Sequence, residues 1–193
     1  MTVIHRHADT TAVPTTEDTH SSTPLGRRAL ALLRIGFGLT FLWAFFDKLL
    51  ALGFHTGYGQ DGTLDRFGDA AWINGGSPTE GFLKFGADGP FKGFYNNIAG
   101  AAWADWLFMI GLLGIGLALT FGVGMRIAGV GGALLYLLMW TVVLPPENNP
   151  VLDDHILGAL SMVVLATFYA GDTWGLGKVW AATKTVKDNP VLR

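Results

Sequence analysis

A histidine and a lysine stand beside carboxylates at the boundaries of apolar segments. His155 follows Asp153 and Asp154 near the beginning of the last apolar segment, and Lys48 follows Asp47 at the end of the first. A histidine titrates near neutral pH and can handle the proton that accompanies electron transfer. A lysine provides a point charge for an oxyanion such as a sulfur oxoacid. We therefore take His155, Asp154 and Lys48 as the candidate catalytic residues of a proton-coupled redox site.

Other polar and aromatic residues are expected at the same membrane boundary as these three. The whole predicted cluster consists of Lys48, Asp47, Asp105, Asn148, Asn149, Asp153, Asp154 and His155, with Trp103, Trp106 and Trp140. Interfacial tryptophans could flank a quinone head group that enters from lipid. A purely structural role stays open, because first-turn acids favour the helix dipole, asparagine caps helices and tryptophans populate membrane interfaces. The candidates for substrate or quinone binding in this cluster are Asp47, Asn149, Trp103 and Trp140.

Three further cations are candidates for binding an anion or a quinone. Arg34 lies six residues beyond Arg28, about 9 Å into the first apolar segment at helical rise. It either extends to the headgroups or pairs with Asp172, or it faces the bundle interior and binds an anionic group or a quinone carbonyl. Lys84 and Lys92 lie in a long loop, where they could attract an anionic donor.

The elements that must position these residues are four apolar helices. The 193-residue chain is 50% hydrophobic and 15% charged, whereas about a quarter of the residues of a soluble domain are charged. Apolar segments of 18 to 21 residues match the hydrocarbon core of a bilayer. The sequence predicts an all-α membrane protein, a four-transmembrane-helix bundle with spans at about 29–46, 106–123, 127–144 and 150–170.

Helix boundaries and charge define the rest of the organisation. Asp105 and Asn149 are predicted to cap the second and fourth spans. Residues 1–26 are predicted to be a disordered tail, 27–171 the membrane domain and 172–193 a surface anchor. The tails and the short turn carry eight lysines and arginines, against three in the loop at 49–104 and none at 145–149. This distribution predicts that both termini are cytoplasmic.

The extracytoplasmic loop at 49–104 is predicted to form a lid. Ser77-Pro78-Thr79-Glu80 is a capping box with proline at the first helical position. Further on, Phe91, Phe94, Tyr95 and Ile98 share one helix face. Two short amphipathic helices fit these segments, and packing on the bundle is the more common role of aromatic residues at this spacing.

Composition excludes several cofactors and partners. The chain has no cysteine, so it offers no thiolate, disulfide or iron–sulfur ligand. Only His155 among the histidines lies in a predicted span, so no haem is expected. Adjacent residues on a helix point about 100° apart, so no metal site is expected at 153–155. A net charge of −2 provides no basic face for nucleic acid.

Several segments together resemble one family. The opening helix, from Leu33-Arg34-Ile35-Gly36 to Phe46-Asp47-Lys48-Leu49, resembles that of the DoxX family. The likeness to the DoxD-like branch, which is related to the small membrane subunit of thiosulfate:quinone oxidoreductase, covers about residues 28–180. It is carried by segments 72–83, 89–91, 148–150, 153–155 and 173–177.

The resemblance implies a four-helix protein of the bacterial cell membrane. It implies electron transfer from thiosulfate to a quinone, together with a second membrane or membrane-associated subunit. The alternative is a non-catalytic scaffold or assembly subunit whose lid recruits a soluble redox or sulfur-handling enzyme. A small-solute permease is less favoured, because only Arg34 offers a polar step inside the bundle.

Overall fold

The computed structural model describes residues 23–59, 61–147 and 149–193, so most of the predicted tail at 1–26 and Asn148 lie outside it. The described chain is helical and contains no β-strand. Its helices are α1 Pro24–Leu50, α2 Glu80–Phe85, α3 Lys92–Ile98, α4 Ala102–Phe121, α5 Met125–Val142, α6 Asp154–Thr167, α7 Gly177–Ala182 and α8 Lys184–Asp188. Short 3-10 turns lie at Trp72–Asn74, Gly89–Phe91, Ala170–Asp172 and Pro190–Leu192.

Helix α1 extends beyond the predicted span at both ends. Thr23 caps it by accepting a hydrogen bond from the Gly26 amide at 3.1 Å, and Pro24 occupies the first position, where its missing N–H is no loss. The helix ends at Leu50, and the next residue, Ala51, caps it with a φ of 53°. Asp47 therefore lies in the last turn of α1 rather than after it.

Helices α4 and α5 form the predicted antiparallel hairpin. Gly122 and Gly124 have φ angles of 71° and 59°, a conformation that glycine adopts without strain, and they turn the chain within three residues. Helix α4 begins at Ala102, earlier than predicted, and no side chain caps it. Asp105 lies inside the first turn, where its carboxylate binds the lid instead of capping the helix.

Helix α6 begins four residues later than the predicted span. Its cap is Asp153, whose Oδ1 accepts from the amides of His155 at 3.0 Å and Ile156 at 3.2 Å. The Asn149 side chain accepts from the amides of Val151 and Leu152 and so closes a turn in the preceding loop. The capping role predicted for Asn149 thus belongs to Asp153.

In the described part of the chain, three helices are long and apolar enough to cross a membrane: α1, α4 and α5, with 27, 20 and 18 residues. At 1.5 Å per residue they measure about 40, 30 and 27 Å, against a hydrocarbon core of about 30 Å. Helix α6 has 14 residues and measures about 21 Å. Leucine, isoleucine and valine side chains are exposed along all four helices, as expected where lipid replaces water.

Helices α1, α4, α5 and α6 pack in chain order around one core. Helix α1 packs on α4, α4 on α5, and α5 on α6. The core contains Phe41, Met109, Leu112, Leu119, Met162 and Leu165. Helix α1 also contacts the turn at Ala170–Asp172. We call this end of the bundle, where α1 begins, the tail end, and the opposite end, where α1 stops and α4 starts, the lid end.

The lid, which comprises α2, α3 and their flanking turns, is fastened to the lid end of the bundle. The Oδ1 atom of Asp105 accepts from the hydroxyls of Ser77 at 2.8 Å and Thr79 at 2.6 Å, and from the Thr79 amide at 3.2 Å. Ser77 also caps α2 through the Glu80 amide, although the helix begins at Glu80 rather than at Pro78. Leu83 and Tyr95 are buried with Val142 of α5.

The segment 172–193 folds back onto the tail end. The Arg126 amide donates to the Arg193 carbonyl at 2.9 Å, and the Trp180 indole donates to the Leu192 carbonyl at 2.7 Å. Trp174, by contrast, is exposed. The segment is thus helical and bonded to the hairpin between α4 and α5, with one of its two tryptophans facing outward.

Candidate functional site

A cavity of about 370 Å³ lies between α1, α5 and α6. Along this side of the bundle α6 packs mainly on α5, while α1 packs on α4, so a space is left between α1 and α6. The cavity is lined by Phe37, Tyr136, Met139, Asp154, His155, Leu157, Gly158 and Ser161. Leu157, one of the lining residues, is 61% exposed, so the cavity reaches the outer surface of the bundle.

His155 is held in the cavity wall by Asp153. Its Nδ1 lies 2.7 Å from Oδ2 of Asp153, while the other oxygen of that carboxylate caps α6. Because Nδ1 is engaged with a carboxylate, the Nε2 atom is the one left to exchange a proton. Within the described ranges Nε2 has no protein partner. Asp153 therefore both begins the helix and orients the imidazole that it carries.

The charge state of Asp153 is set by opposing effects. Burial by itself raises the pKa of this carboxyl group, which precedes α6. The hydrogen bond from the His155 ring, the amide of Ile156 and the nearby His155 charge outweigh burial, and the pKa of Asp153 lies below its usual range. Asp153 consequently stays ionised at neutral pH and holds the Nδ1 proton of His155.

Tyr136 of α5 is the site residue that the sequence did not reveal. Its ring makes edge contacts with Phe37 and Phe41 at centroid distances of 6.1 and 5.6 Å, and with the His155 ring at 6.4 Å. A Cβ at Gly158 would lie 2.7 Å from the Tyr136 ring, so glycine is needed there. In the part of the chain that the structure describes, no group bonds the Tyr136 hydroxyl. The available signal was a phenol inside the charge-free segment 127–144, where its hydroxyl needs a partner.

The predicted partners of His155 lie in different places. Asp154 is exposed and lines the mouth of the cavity, but it is Asp153 that bonds the imidazole. The Lys48 ammonium lies 5.9 Å from the centroid of the Phe108 ring, between α1 and α4. No described carboxylate forms an ion pair with Lys48. The cluster expected at one level is thus divided between two faces of the bundle.

The remaining candidates of the cluster hold loops. The Asp47 carboxylate is buried and accepts from the amides of Phe54 at 3.1 Å and His55 at 3.0 Å, which fixes the first turn of the loop after α1. The Trp140 indole donates to the Val151 carbonyl at 3.0 Å and so ties down the loop between α5 and α6.

Two predicted candidates face outward and two form surface ion pairs. Trp103 is 58% exposed at the start of α4, and Asn149 is exposed in its turn. Lys84 pairs with Glu80 at 3.3 Å and Lys92 with Asp88 at 3.9 Å, one helical turn apart in both cases. Exposed pairs of this kind contribute little stability, but they neutralise the two loop cations.

Arg34 is fully buried and is bonded only to backbone carbonyls. The guanidinium donates to the carbonyls of Leu119 and Thr120, the latter at 2.9 Å, at the end of α4. It also donates to three carbonyls after α6, those of Ala170, Thr173 and Trp174, at 3.1, 3.3 and 3.0 Å. Carbonyls at helix ends carry partial negative charge, which compensates the cation.

The surroundings of Arg34 leave no room for a ligand. A Cβ at Gly175 would lie 2.4 Å from the Gly171 carbonyl oxygen and 3.1 Å from Arg34 Nη2. Asp172, the partner considered from the sequence, pairs with Arg193 at 3.0 Å. In this arrangement Arg34 joins α1, the end of α4 and the segment after α6, and it positions these three segments relative to one another.

We searched for metal-binding groups among the described residues and for similar proteins. Among the described residues no three His, Asp or Glu side chains come together in a group that could hold a metal ion. The chain matches no family model, and no curated protein or solved structure shows significant similarity to it.

Proposed function

We propose that the chain is a DoxX/DoxD-like membrane subunit of a quinone-linked oxidoreductase that acts on thiosulfate or a related sulfur oxoanion, with the quinone head group received by the cavity between α1, α5 and α6. One observation carries the proposal: an oriented histidine and an unpartnered tyrosine hydroxyl face an aromatic cavity that opens toward lipid. These groups are His155 and Tyr136.

The chemistry of the cavity fits a quinone. A quinone ring is planar and has two carbonyl acceptors. The wall offers the Tyr136 hydroxyl as a donor, and the Nε2 atom of His155 donates when the imidazole is protonated. Phe37 and Met139 provide apolar wall. Small-ligand sites measure about 300 to 1,000 Å³, and this cavity measures about 370 Å³. The gap beside Leu157 lets an isoprenoid tail remain in the membrane.

The protein residues would handle protons at this site. A quinone bound there takes up two electrons and two protons. Asp153 keeps the proton on Nδ1 of His155, so Nε2 is the atom that releases or receives a proton at the cavity wall. Asp154 is exposed at the mouth and can exchange protons with water. The rings of Phe37 and Phe41 pack against Tyr136 and exclude water from the inner wall.

The electron donor is assigned to the other face of the bundle. Lys48 is half-buried and forms no ion pair with a described carboxylate. The Asp47 carboxylate attracts its ammonium, but Asp47 is itself held by two backbone amides, so we assign the Lys48 charge to binding an anionic donor or a second, membrane-associated subunit that carries it.

The proposal includes a fourth span and an orientation. We take α6 as the fourth membrane helix because its exposed side chains Leu157, Leu160 and Val163 are apolar. The distribution of lysine and arginine supports an orientation with the tail end at the cytoplasmic side and the lid outside, in what we take to be a bacterial cell membrane.

The test is quinol formation by proteoliposomes that are given thiosulfate and a short-chain quinone analogue. A positioned general acid or base contributes at least about 100-fold, so His155→Ala should lose activity by that factor. Loss of one hydrogen bond to the ligand should raise KM about tenfold in Tyr136→Phe. Analogue binding, measured by quenching of tryptophan fluorescence, gives a readout that needs no donor subunit.

Matched controls come from the loop after α1. His55 is exposed and the Tyr58 hydroxyl bonds only the Gly53 carbonyl, so His55→Ala and Tyr58→Phe should keep wild-type activity and binding. Unchanged binding in both His155→Ala and Tyr136→Phe would refute the cavity as the quinone site. Activity that survives both His155→Ala and Lys48→Ala would refute the catalytic assignment.

A further inference from the structure

The lid carries aromatic side chains that its own core does not use. Its buried core consists of Leu83, Ala87 and Tyr95 against Val142. Three phenylalanines point away from this core: Phe85, Phe91 and Phe94 are 81%, 46% and 59% exposed. Moving such a side chain from water into an apolar medium is favourable. The lid thus presents an apolar face that water solvates poorly.

This face is fixed beside the end of a membrane-spanning helix. The Tyr95 hydroxyl bonds the Thr141 hydroxyl, and the Asp88 amide donates to the Val142 carbonyl at 2.9 Å, so α3 is held against the last turn of α5. One turn earlier, Leu137 and Leu138 are exposed on α5. Phe91 and Phe94, which line a groove with Thr141 of α5, therefore continue the exposed apolar surface of α5, and Phe85 adds a further exposed ring on α2.

A groove of about 320 Å³ joins the two surfaces. It is lined by Phe91, Phe94, Tyr95 and Thr141. The two hydroxyls in it are bonded to each other, so the groove offers an incoming group little but apolar surface. A hydrocarbon chain fits this chemistry, whereas a polar ligand does not.

The charges of the lid leave no electrostatic pattern for a charged partner. Lys84 pairs with Glu80, and Lys92 pairs with Asp88. Aromatic residues are favoured at the boundary between lipid and water, where short amphipathic helices lie in the membrane plane. A face of this kind matches the bilayer, whose apolar layer already borders α5.

We propose that the lid is a membrane-interface element: Phe85, Phe91 and Phe94 enter the leaflet at the lid end, and a lipid acyl chain occupies the groove between α3 and α5. The insertion is driven by apolar contact and does not depend on anionic lipid. It involves a surface separate from the His155 cavity and does not require a quinone.

The absence of native cysteine makes the test direct. Spin labels are attached to single-cysteine variants Phe85→Cys and Phe94→Cys in vesicles of phosphatidylcholine, and power saturation compares collisions with oxygen and with a water-soluble nickel complex. The oxygen-to-nickel accessibility ratio should be several-fold higher at both positions than at Asp69→Cys, an exposed residue of the preceding loop. Leu137→Cys on α5 provides the reference for full immersion in lipid.

Further measurements decide between the bilayer and other occupants. Adding phosphatidylglycerol to the vesicles should leave the ratio unchanged. Ratios at 85 and 94 equal to that of Asp69→Cys would overturn the proposal, as would immersion seen only with anionic lipid. A lid that serves as a docking site for a soluble enzyme, and does not enter the bilayer, gives ratios at 85 and 94 equal to that of Asp69→Cys. Circular dichroism of each labelled variant shows whether it is folded, and the Leu137→Cys ratio shows that the bundle is inserted under the same reconstitution conditions.

Discussion

At the scale of single residues, Arg34 shows how a buried cation is accommodated without a carboxylate. Its guanidinium has five N–H groups in a planar fork, and they reach carbonyls on two separated chain segments. Each segment ends a helix or follows one, where carbonyls lack helical partners. The arginine supplies those partners, and the carbonyl dipoles compensate its charge.

Replacing Arg34 should therefore destabilise the bundle strongly. Arg34→Ala leaves several buried carbonyls unpaired, for which we expect a loss of about 3 kcal/mol or more. Arg34→Lys should recover little, because one ammonium cannot span both segments. Thermal unfolding in detergent, followed by tryptophan fluorescence, measures the effect. Arg27→Ala is the control, since Arg27 is exposed; an Arg34→Lys variant as stable as wild type would contradict the assigned role.

Asp153 gives a prediction about pH. Its pKa is lower in the folded protein than in the unfolded chain, so its ionised form stabilises folding. This contribution is complete above the unfolded pKa of about 3.9 and disappears as pH falls through the lower folded value. The difference in Tm between wild type and Asp153→Ala should stay constant from about pH 8 to 5 and shrink only below about pH 4. A difference that shrinks near pH 6 instead would assign the effect to another group.

At the scale of elements, the lid is held by one buried carboxylate. Asp105 lies in the first turn of α4, where the helix dipole favours a negative charge, and it accepts three hydrogen bonds from the segment that leads into α2. The segment before α2 is thus anchored to α4, and Tyr95 fixes α3 to α5.

Asp105→Ala should loosen the lid and leave the bundle intact. Two hydroxyls and one amide lose their acceptor, at a cost of about 1 to 3 kcal/mol, so amide exchange in Glu80–Phe85 should accelerate about tenfold or more. Exchange in the core of α4 should not change. Hydrogen exchange by mass spectrometry measures both, with Asp69→Ala as the exposed control. Equal acceleration in lid and bundle would show that Asp105 supports the whole fold instead.

At the scale of the whole molecule, one arrangement explains the cavity. Helix α1 packs on α4 and helix α6 packs on α5, so α1 and α6 are the first and last helices in the packing order. They are joined at the tail end by the hydrogen bond from Arg34 to the Ala170 carbonyl. Toward the lid end the space between them is filled partly by Tyr136 and bounded by His155. The opening therefore results from how the helices pack, and it lies where a hydrophobic ligand could enter from lipid.

The number of spans can be counted by cysteine labelling. Asp69 lies before α4 and Lys187 lies in α8, so four spans place them on opposite sides of the membrane, whereas three spans that omit α6 place them on the same side. With four spans and a cytoplasmic tail end, an impermeant maleimide on intact cells should label Asp69→Cys. Lys187→Cys should react only after permeabilisation. Labelling of both positions in intact cells would show that α6 does not cross the membrane.

The sequence determined the features that depend on local pattern. Long apolar segments predicted α1, α4 and α5 to within a few residues, because backbone groups in lipid must be satisfied within each helix. His155 was a candidate because an ionisable group inside a predicted span, here 150–170, is uncommon. Helix starts were less predictable: Asp105 and Asn149 are good capping residues, yet each bonds a loop, and Asp153 is the cap of α6.

Only the tertiary structure decided which residues form a site. Sequence placed Lys48, Asp47 and His155 at one level, but side chains at one level face different directions around a helix, and the bundle sends them to different neighbours. Tyr136 joined the cavity because Gly158 lets its ring approach α6. Arg34 became a positioning residue because carbonyls from two distant segments converge on it. Depth in a membrane follows from position along the chain, whereas the direction of a side chain follows from how the helices pack.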